Sequence, residues 1–177
     1  LNARETRFDL IVQKPYRAKT RAFVTFSWDA PGLLLKTHLN GTMNNPYDTD
    51  KGWTVEMAIP RKAIAAEFDN YLQAGNYLRI GFSRVEWQTE VDENGDIRRK
   101  KGDDGKYLPE DNWTWPSTGM IAMHMPERWG YVYLSDTQGE TFQYPSTRPV
   151  ERLLWAMFYE QENQMNTNGA YLSSLES

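Results

Sequence analysis

Asn112–Ser135, NWTWPSTGMIAMHMPERWGYVYLS, decides how this chain folds on paper. It gathers three tryptophans, two glycines and a lone histidine into what alternation predicts as two strands, Met120–Met125 and Trp129–Ser135, turned at Pro126-Glu127-Arg128. Trp113 and Trp115 stand two residues apart, so in extended backbone both rings lie on one face. Pro116 follows directly and has no N–H to give a ladder, which places the pair at a strand edge or the mouth of a loop. Indole surface at such a place serves core packing, ligand stacking or both. Trp53 and Trp129 head apolar strands and read as core.

Working outward, most of the chain alternates with the period of strands. Phe8, Leu10 and Val12 form one set. Ala22, Val24, Phe26 and Trp28 form another, followed after Asp29-Ala30-Pro31-Gly32 by Leu33, Leu35, Thr37 and Leu39. Trp53, Val55, Met57 and Ile59 share a face until Pro60 ends the strand, and Ile64, Phe68 and Tyr71 suit a short helix from Arg61. A long strand is expected from Tyr77 to Val91. One side of it passes from Leu78, Ile80 and Phe82 to Arg84, Glu86 and Gln88, while Val85 and Trp87 keep the other side apolar. Asn94-Gly95 and Asp104-Gly105 mark a projecting hairpin or loop over 92–111. After Gln138 the pattern becomes helical: Val150, Leu153, Leu154, Met157 and Phe158 make one stripe over Pro149–Gln164, opened near Thr147 and closed by Asn168-Gly169. The expectation is an all-β, mainly antiparallel domain over 1–138, then a linker and an amphipathic helix over 139–177. Leu1 is not a Met and strand alternation has begun by Phe8, so opening strands and a signal segment are expected to precede it.

Charge narrows the function. Twenty Lys and Arg stand against 24 Asp and Glu, a net charge of −4, which disfavours a protein that tracks nucleic-acid phosphates. The basic run Arg98-Arg99-Lys100-Lys101 is flanked by Asp92, Glu93, Asp96, Asp103 and Asp104, and reads as a solvated, locally neutralised hairpin tip. There is no cysteine, hence no disulfide, thiolate metal site or cysteine nucleophile. No apolar run is long enough for a membrane span.

Gly52-Trp53-Thr54-Val55-Glu56-Met57-Ala58-Ile59-Pro60, Leu78 to Trp87 (LRIGFSRVEW), Asn112-Trp113-Thr114-Trp115-Pro116 and Met123 to Gly130 (MHMPERWG) resemble, in this order, successive blocks of the carbohydrate-binding family 9-like domains of Bacteroidota. The resemblance spans about residues 1 to 135. It implies an immunoglobulin-like, DOMON-like β-sandwich whose first strands, ahead of Phe8-Asp9-Leu10 and Lys14-Pro15-Tyr16-Arg17, are missing. It further implies non-catalytic binding of a plant-type poly- or oligosaccharide, and a secreted or periplasmic location. In the family's xylanase-linked members two aromatic rings sandwich a sugar, and Asn112 with Trp115 is similar to half of that clamp.

The chemistry suits the residues themselves. A pyranose has an apolar face and a rim of hydroxyls, so its site needs a flat ring beside planar polar groups. Trp115 is the expected platform with Trp113 and Trp87 near it, Asn112 and Gln88 supply amides, and Arg84 and Glu86 supply charged hydrogen-bond partners. Arg84 and Glu86 are equally readable as a structural ion pair.

Other assignments compete. Asn44, Asn45, Asp48 and Asp50 offer oxygen ligands suited to calcium, against a metal-free Asx-rich turn. Asp92, Asn94 and Asp96 have EF-hand-like spacing, but Ile97 stands where glycine is needed. His124 between Met123 and Met125 invites comparison with haem ligation in DOMON relatives, but strand alternation would send it away from both methionines. A glycoside hydrolase would draw two carboxylates from Glu56, Glu86 and Glu127. A third possibility is a module of a surface glycan-utilisation system that docks a protein partner through the C-terminal helix.

Overall fold

The computed structural model describes residues 1–14, 23–68, 72–120 and 122–174. Pro15–Arg17, Ala22, Tyr71, Ile121 and the side chain of Phe68 lie outside the described residues. The chain forms two compact units, Leu1–Leu134 and Ser135–Ser177.

The first unit is built of antiparallel strand pairs. β1 (Ile11–Val12) pairs with β2 (Val24–Thr25), and β3 (Leu34–Asn40) with β4 (Gly52–Ala58) along seven residues each. Their register sets Leu35 against Met57, Thr37 against Val55 and Leu39 against Trp53, the alternation expected of an apolar face. That face is only partly covered: Leu35, Leu39 and Trp53 are half-buried, whereas Val55, Met57 and Ile59 are exposed. Helix α1 (Arg61–Phe68) begins directly after Pro60 and buries Ala63.

The long strand expected over Tyr77–Val91 is broken into β5 (Tyr77–Ile80), β6 (Phe82–Glu86) and β7 (Thr89–Val91). β7 turns back as a hairpin onto β8 (Ile97–Arg99). Its turn is organised by Asp92, which accepts backbone N–H bonds from Asn94 and Asp96, each at 2.9 Å, and pairs with Arg98.

The break at Gly81 divides the expected strand between two partners. β6 pairs with β9 (Asp111–Trp115) and β5 pairs with β10 (Gly130–Tyr133), in two separate two-stranded ladders. Phe82 faces Trp115, Ile80 faces Gly130, and the described residues from Pro116 to Trp129 leave the ladder between them. The expected strand Met120–Met125 is therefore corrected to a folded excursion that ends in a 3-10 turn at Pro126–Arg128.

Its polar groups show why. Thr118 is buried and gives its hydroxyl to the Met120 carbonyl at 2.8 Å, and Ala122 N–H bonds the same carbonyl at 2.8 Å. Arg128 donates to the Thr118 carbonyl at 2.8 Å, and the Trp129 indole N–H donates to the Met123 carbonyl at 2.9 Å. Backbone groups satisfied in this way have no need of a ladder. Met125, wholly buried, anchors the excursion. Arg79 on β5 holds its far end, donating to the carbonyls of Glu127 at 2.9 Å and Trp129 at 3.3 Å while lying over the Tyr131 ring at 4.0 Å.

The second unit is organised by α2 (Arg148–Asn168), longer than the expected Pro149–Gln164 but stopped at the expected place. Gly169 takes the left-handed conformation at φ 72° and returns its N–H to Met165 at 3.0 Å, a conformation glycine adopts without penalty. Arg148 stacks on Tyr144 at 3.8 Å, and the Leu172 N–H reaches Gln161 at 2.8 Å. The stripe Val150, Leu153, Leu154 and Phe158 is exposed. No helix among the described residues is long and apolar enough to cross a membrane.

Candidate functional site

The β6–β9 ladder fixes which candidate residues share a surface. Register and alternation put Phe82, Arg84 and Glu86 beside Trp115, Trp113 and Asp111 on one face, with Ser83, Val85, Asn112 and Thr114 on the other. The Trp113 and Trp115 side chains are not sealed in a core: they are 61% and 60% exposed. The Trp115 indole lies 5.8 Å from the Phe82 ring, tilted by 43°, and packs over the backbone of Gly130. Both contacts hold the ring in place while most of its surface meets water.

Arg84 stands directly across from Trp113, and its guanidinium forms a 3.1 Å ion pair with Glu86 on the same strand face. Both partners are solvent-exposed, where such a pair contributes well under about 1 kcal/mol. The pairing holds the two groups beside the indoles and leaves further donors and acceptors for hydroxyls.

The remaining expected residues are placed elsewhere. Asn112 is opposite Val85 and so belongs to the reverse face from Trp115. Gln88 lies past the end of β6, with its carbonyl accepting the Lys100 N–H at 2.9 Å. Trp87 is covered by Arg99, whose guanidinium carbon sits 3.4 Å from the ring centroid. The structure thus joins Trp113, Trp115, Arg84 and Glu86 on one face, puts Asn112 on the reverse face and engages Trp87 with Arg99.

Trp115 also borders a cleft of about 220 Å³ between the excursion and the ladder. Gly81, Ser83, Thr114, Thr118, Met123, His124 and Trp129 line it, together with Phe82, Trp115 and Pro116. The Ser83 hydroxyl reaches the Met123 sulfur at 3.4 Å across the strand–excursion boundary. Met123 and His124 thus border one space, so the alternation that would have parted them does not apply. Sequence reasoning did not bring Ser83, Thr118 and His124 together, because an extended Met120–Met125 would not fold back over β6. Pro116 and Pro126, bracketing the segment, were the available signal for an irregular one.

The residues expected to ligate calcium are hydrogen-bonded within their own turn. Asp50 accepts the Thr42 N–H at 2.7 Å, Asp48 accepts the Thr42 hydroxyl at 2.6 Å and Asn45 accepts the Tyr47 N–H at 3.2 Å. These bonds make an Asx-rich turn, and among the described residues no three His, Cys, Asp or Glu side chains converge on a cation position. Of the hydrolase candidates, Glu56 is on β4, Glu86 pairs with Arg84 and Glu127 is in the 3-10 turn; none of the three lines the cleft.

No protein-family model, curated protein or solved structure matches the chain.

Proposed function

We propose that this protein binds a plant-type oligo- or polysaccharide without cleaving it, as a carbohydrate-binding family 9-like domain of immunoglobulin-like, DOMON-like sandwich type acting outside the cytoplasm. One observation carries the reading: Trp113 and Trp115 present two neighbouring, mostly exposed indoles on a strand face that also bears the Arg84–Glu86 pair. Exposed indole at this density is costly to leave in water and is suited to the C–H face of a sugar. Trp115 is the platform, Trp113 extends it, and Arg84 and Glu86 serve the hydroxyl rim. Each hydrogen bond of that kind contributes about 1 kcal/mol, which gives weak to moderate affinity.

Titration with xylan or plant-glucan oligosaccharides, followed by tryptophan emission, tests it. Emission shifts in the wild type and not in Trp115→Ala if the platform is correct, whereas an undiminished shift in that variant removes Trp115 from the site.

A second reading concerns α2. Its stripe of Val150, Leu153, Leu154 and Phe158 stands exposed, which favours a protein partner for this helix. Deleting 139–177 would then abolish capture of the partner and spare glycan binding.

A further inference from the structure

The β7–β8 hairpin keeps positive charge that its acidic neighbours do not cancel. Arg98 pairs with Asp92 and approaches Asp96 at 3.7 Å, and Lys106 pairs with Asp104 at 3.4 Å. Among the described residues no carboxylate is within ion-pairing distance of Arg99, Lys100 or Lys101. The local neutralisation expected of this run is thus confined to Arg98.

Arg99 contacts two rings, its guanidinium carbon 3.4 Å from the Trp87 centroid and 4.7 Å from that of Tyr107. Lys101 bridges to Tyr107 in the backbone and brings its ammonium to 5.2 Å from the same ring. A guanidinium lying over a ring turns one side to it and keeps N–H donors outward for a two-oxygen acceptor. Arg99, Lys101 and Tyr107 are all exposed, so these donors and part of the phenol ring meet solvent.

We infer that Trp87, Arg99, Lys101 and Tyr107 form a second ligand locus, which takes a carboxylate-bearing sugar, a uronate unit of an acidic glycan. The carboxylate bridges the Arg99 edge with help from Lys101, and the sugar's C–H face lies on Tyr107. The fork takes tetrahedral oxyanions too, but a uronate carboxylate is joined directly to the sugar ring and keeps its two oxygens fixed against the ring's C–H face, whereas a sulfate ester stands off on a further oxygen. The chain's net charge of −4 repels polyanions in general, so attraction here is local. The locus rests on the carbohydrate-binding reading only for its ligand being a sugar.

Calorimetric titration of the full chain at about 0.15 M salt tests it, with oligogalacturonate, its carboxyl-reduced counterpart and a sulfated neutral oligosaccharide of equal charge as probes. Oligogalacturonate should bind at least about tenfold tighter than either of the others. Arg99→Gln and Lys101→Gln should each weaken it about tenfold, with Arg99→Lys recovering only part of the loss because it lacks the fork. Lys101→Gln changes only an exposed side chain, so the test survives if Arg99→Gln unfolds the hairpin. Trp115→Ala should keep uronate binding while losing the neutral-glycan signal. Binding of uronate without any binding of neutral glycan would sink the proposed platform and leave this locus standing. Equal affinity for the reduced or sulfated probe, no binding of oligogalacturonate, or indifference to both Arg99→Gln and Lys101→Gln would overturn it.

Discussion

The indole of Trp129 fills the space that a β-carbon would take at Gly81: an added Cβ would meet its ring atoms at 2.8 Å. Glycine is required here by close approach and not by its backbone angle. Gly81→Ala should push Trp129 out of place, strain its bond to the Met123 carbonyl and cost about 1–3 kcal/mol, the range for overpacking a tight contact. Denaturant unfolding should show the midpoint fall, and tryptophan emission should move toward that of exposed indole before unfolding begins.

Arg79 is the matching device on β5. Its guanidinium serves two carbonyls, of Glu127 and Trp129, that flank the end of the 3-10 turn. Arg79→Met keeps the aliphatic stem but leaves those carbonyls without this donor, and about 1–3 kcal/mol of stability should be lost. Thermal unfolding measures it, and an unchanged midpoint would show that water replaces the guanidinium at no cost.

How far the site could be seen from residues alone depended on the length of each pattern. β3, β4, α1 and α2 follow from sustained periodicity closed by Pro60 or Gly169, and Trp113 with Trp115 follows from a two-residue spacing beside a proline. The excursion did not follow, because Met123-His124-Met125 alternates in chemistry while the segment's carbonyls are taken up at irregular spacing, Met120 by Thr118, Thr118 by Arg128 and Met123 by Trp129. The break at Gly81 was hidden by a run whose alternation continues through it. Asn112 was misplaced because three residues of separation were judged without the face that alternation assigns.

Trp113 and Trp115 should not weigh equally. Trp115 is braced by Phe82 and Gly130, so its ring is ordered before a ligand arrives and loses little entropy on binding. Trp115→Ala should abolish detectable neutral-glycan binding, while Trp113→Ala should weaken it about tenfold or less. Equal losses in the two variants, measured by calorimetry, would contradict this ranking.

Acid should loosen two exposed junctions. Asp92 is held below its ordinary value of 3.8, first by its bond with Arg98 and then by the Asp96 N–H; Glu5 is held below 4.5, first by the Thr37 N–H and then by Lys36. For a lowered carboxylate pKa, the stability contributed is fully present above the unfolded value and disappears as pH falls through the folded one. The β7–β8 turn and the Glu5–Thr37 contact should therefore be intact at neutral pH and weaken below about pH 4. Amide exchange at Asp96 and Thr37 across an acid series checks this, and Asp92→Asn should remove the dependence at Asp96 alone.

Metal should be irrelevant to the turn at 41–50. With Asp48, Asp50 and Asn45 bonded to Thr42 and Tyr47, neither added calcium nor a chelator should move the thermal midpoint. A rise of several degrees with calcium would show that a cation binds there instead.

A strand shared end to end by two partners has a bearing on how this protein can diversify. Because β9 and β10 are each registered on their own stretch of Tyr77–Glu86, the segment between them carries no rung of either ladder. Its length and composition at positions other than Thr118, Met123, Met125 and Arg128, which tie it to the frame, are therefore free of the pairing that holds the indole-bearing strand.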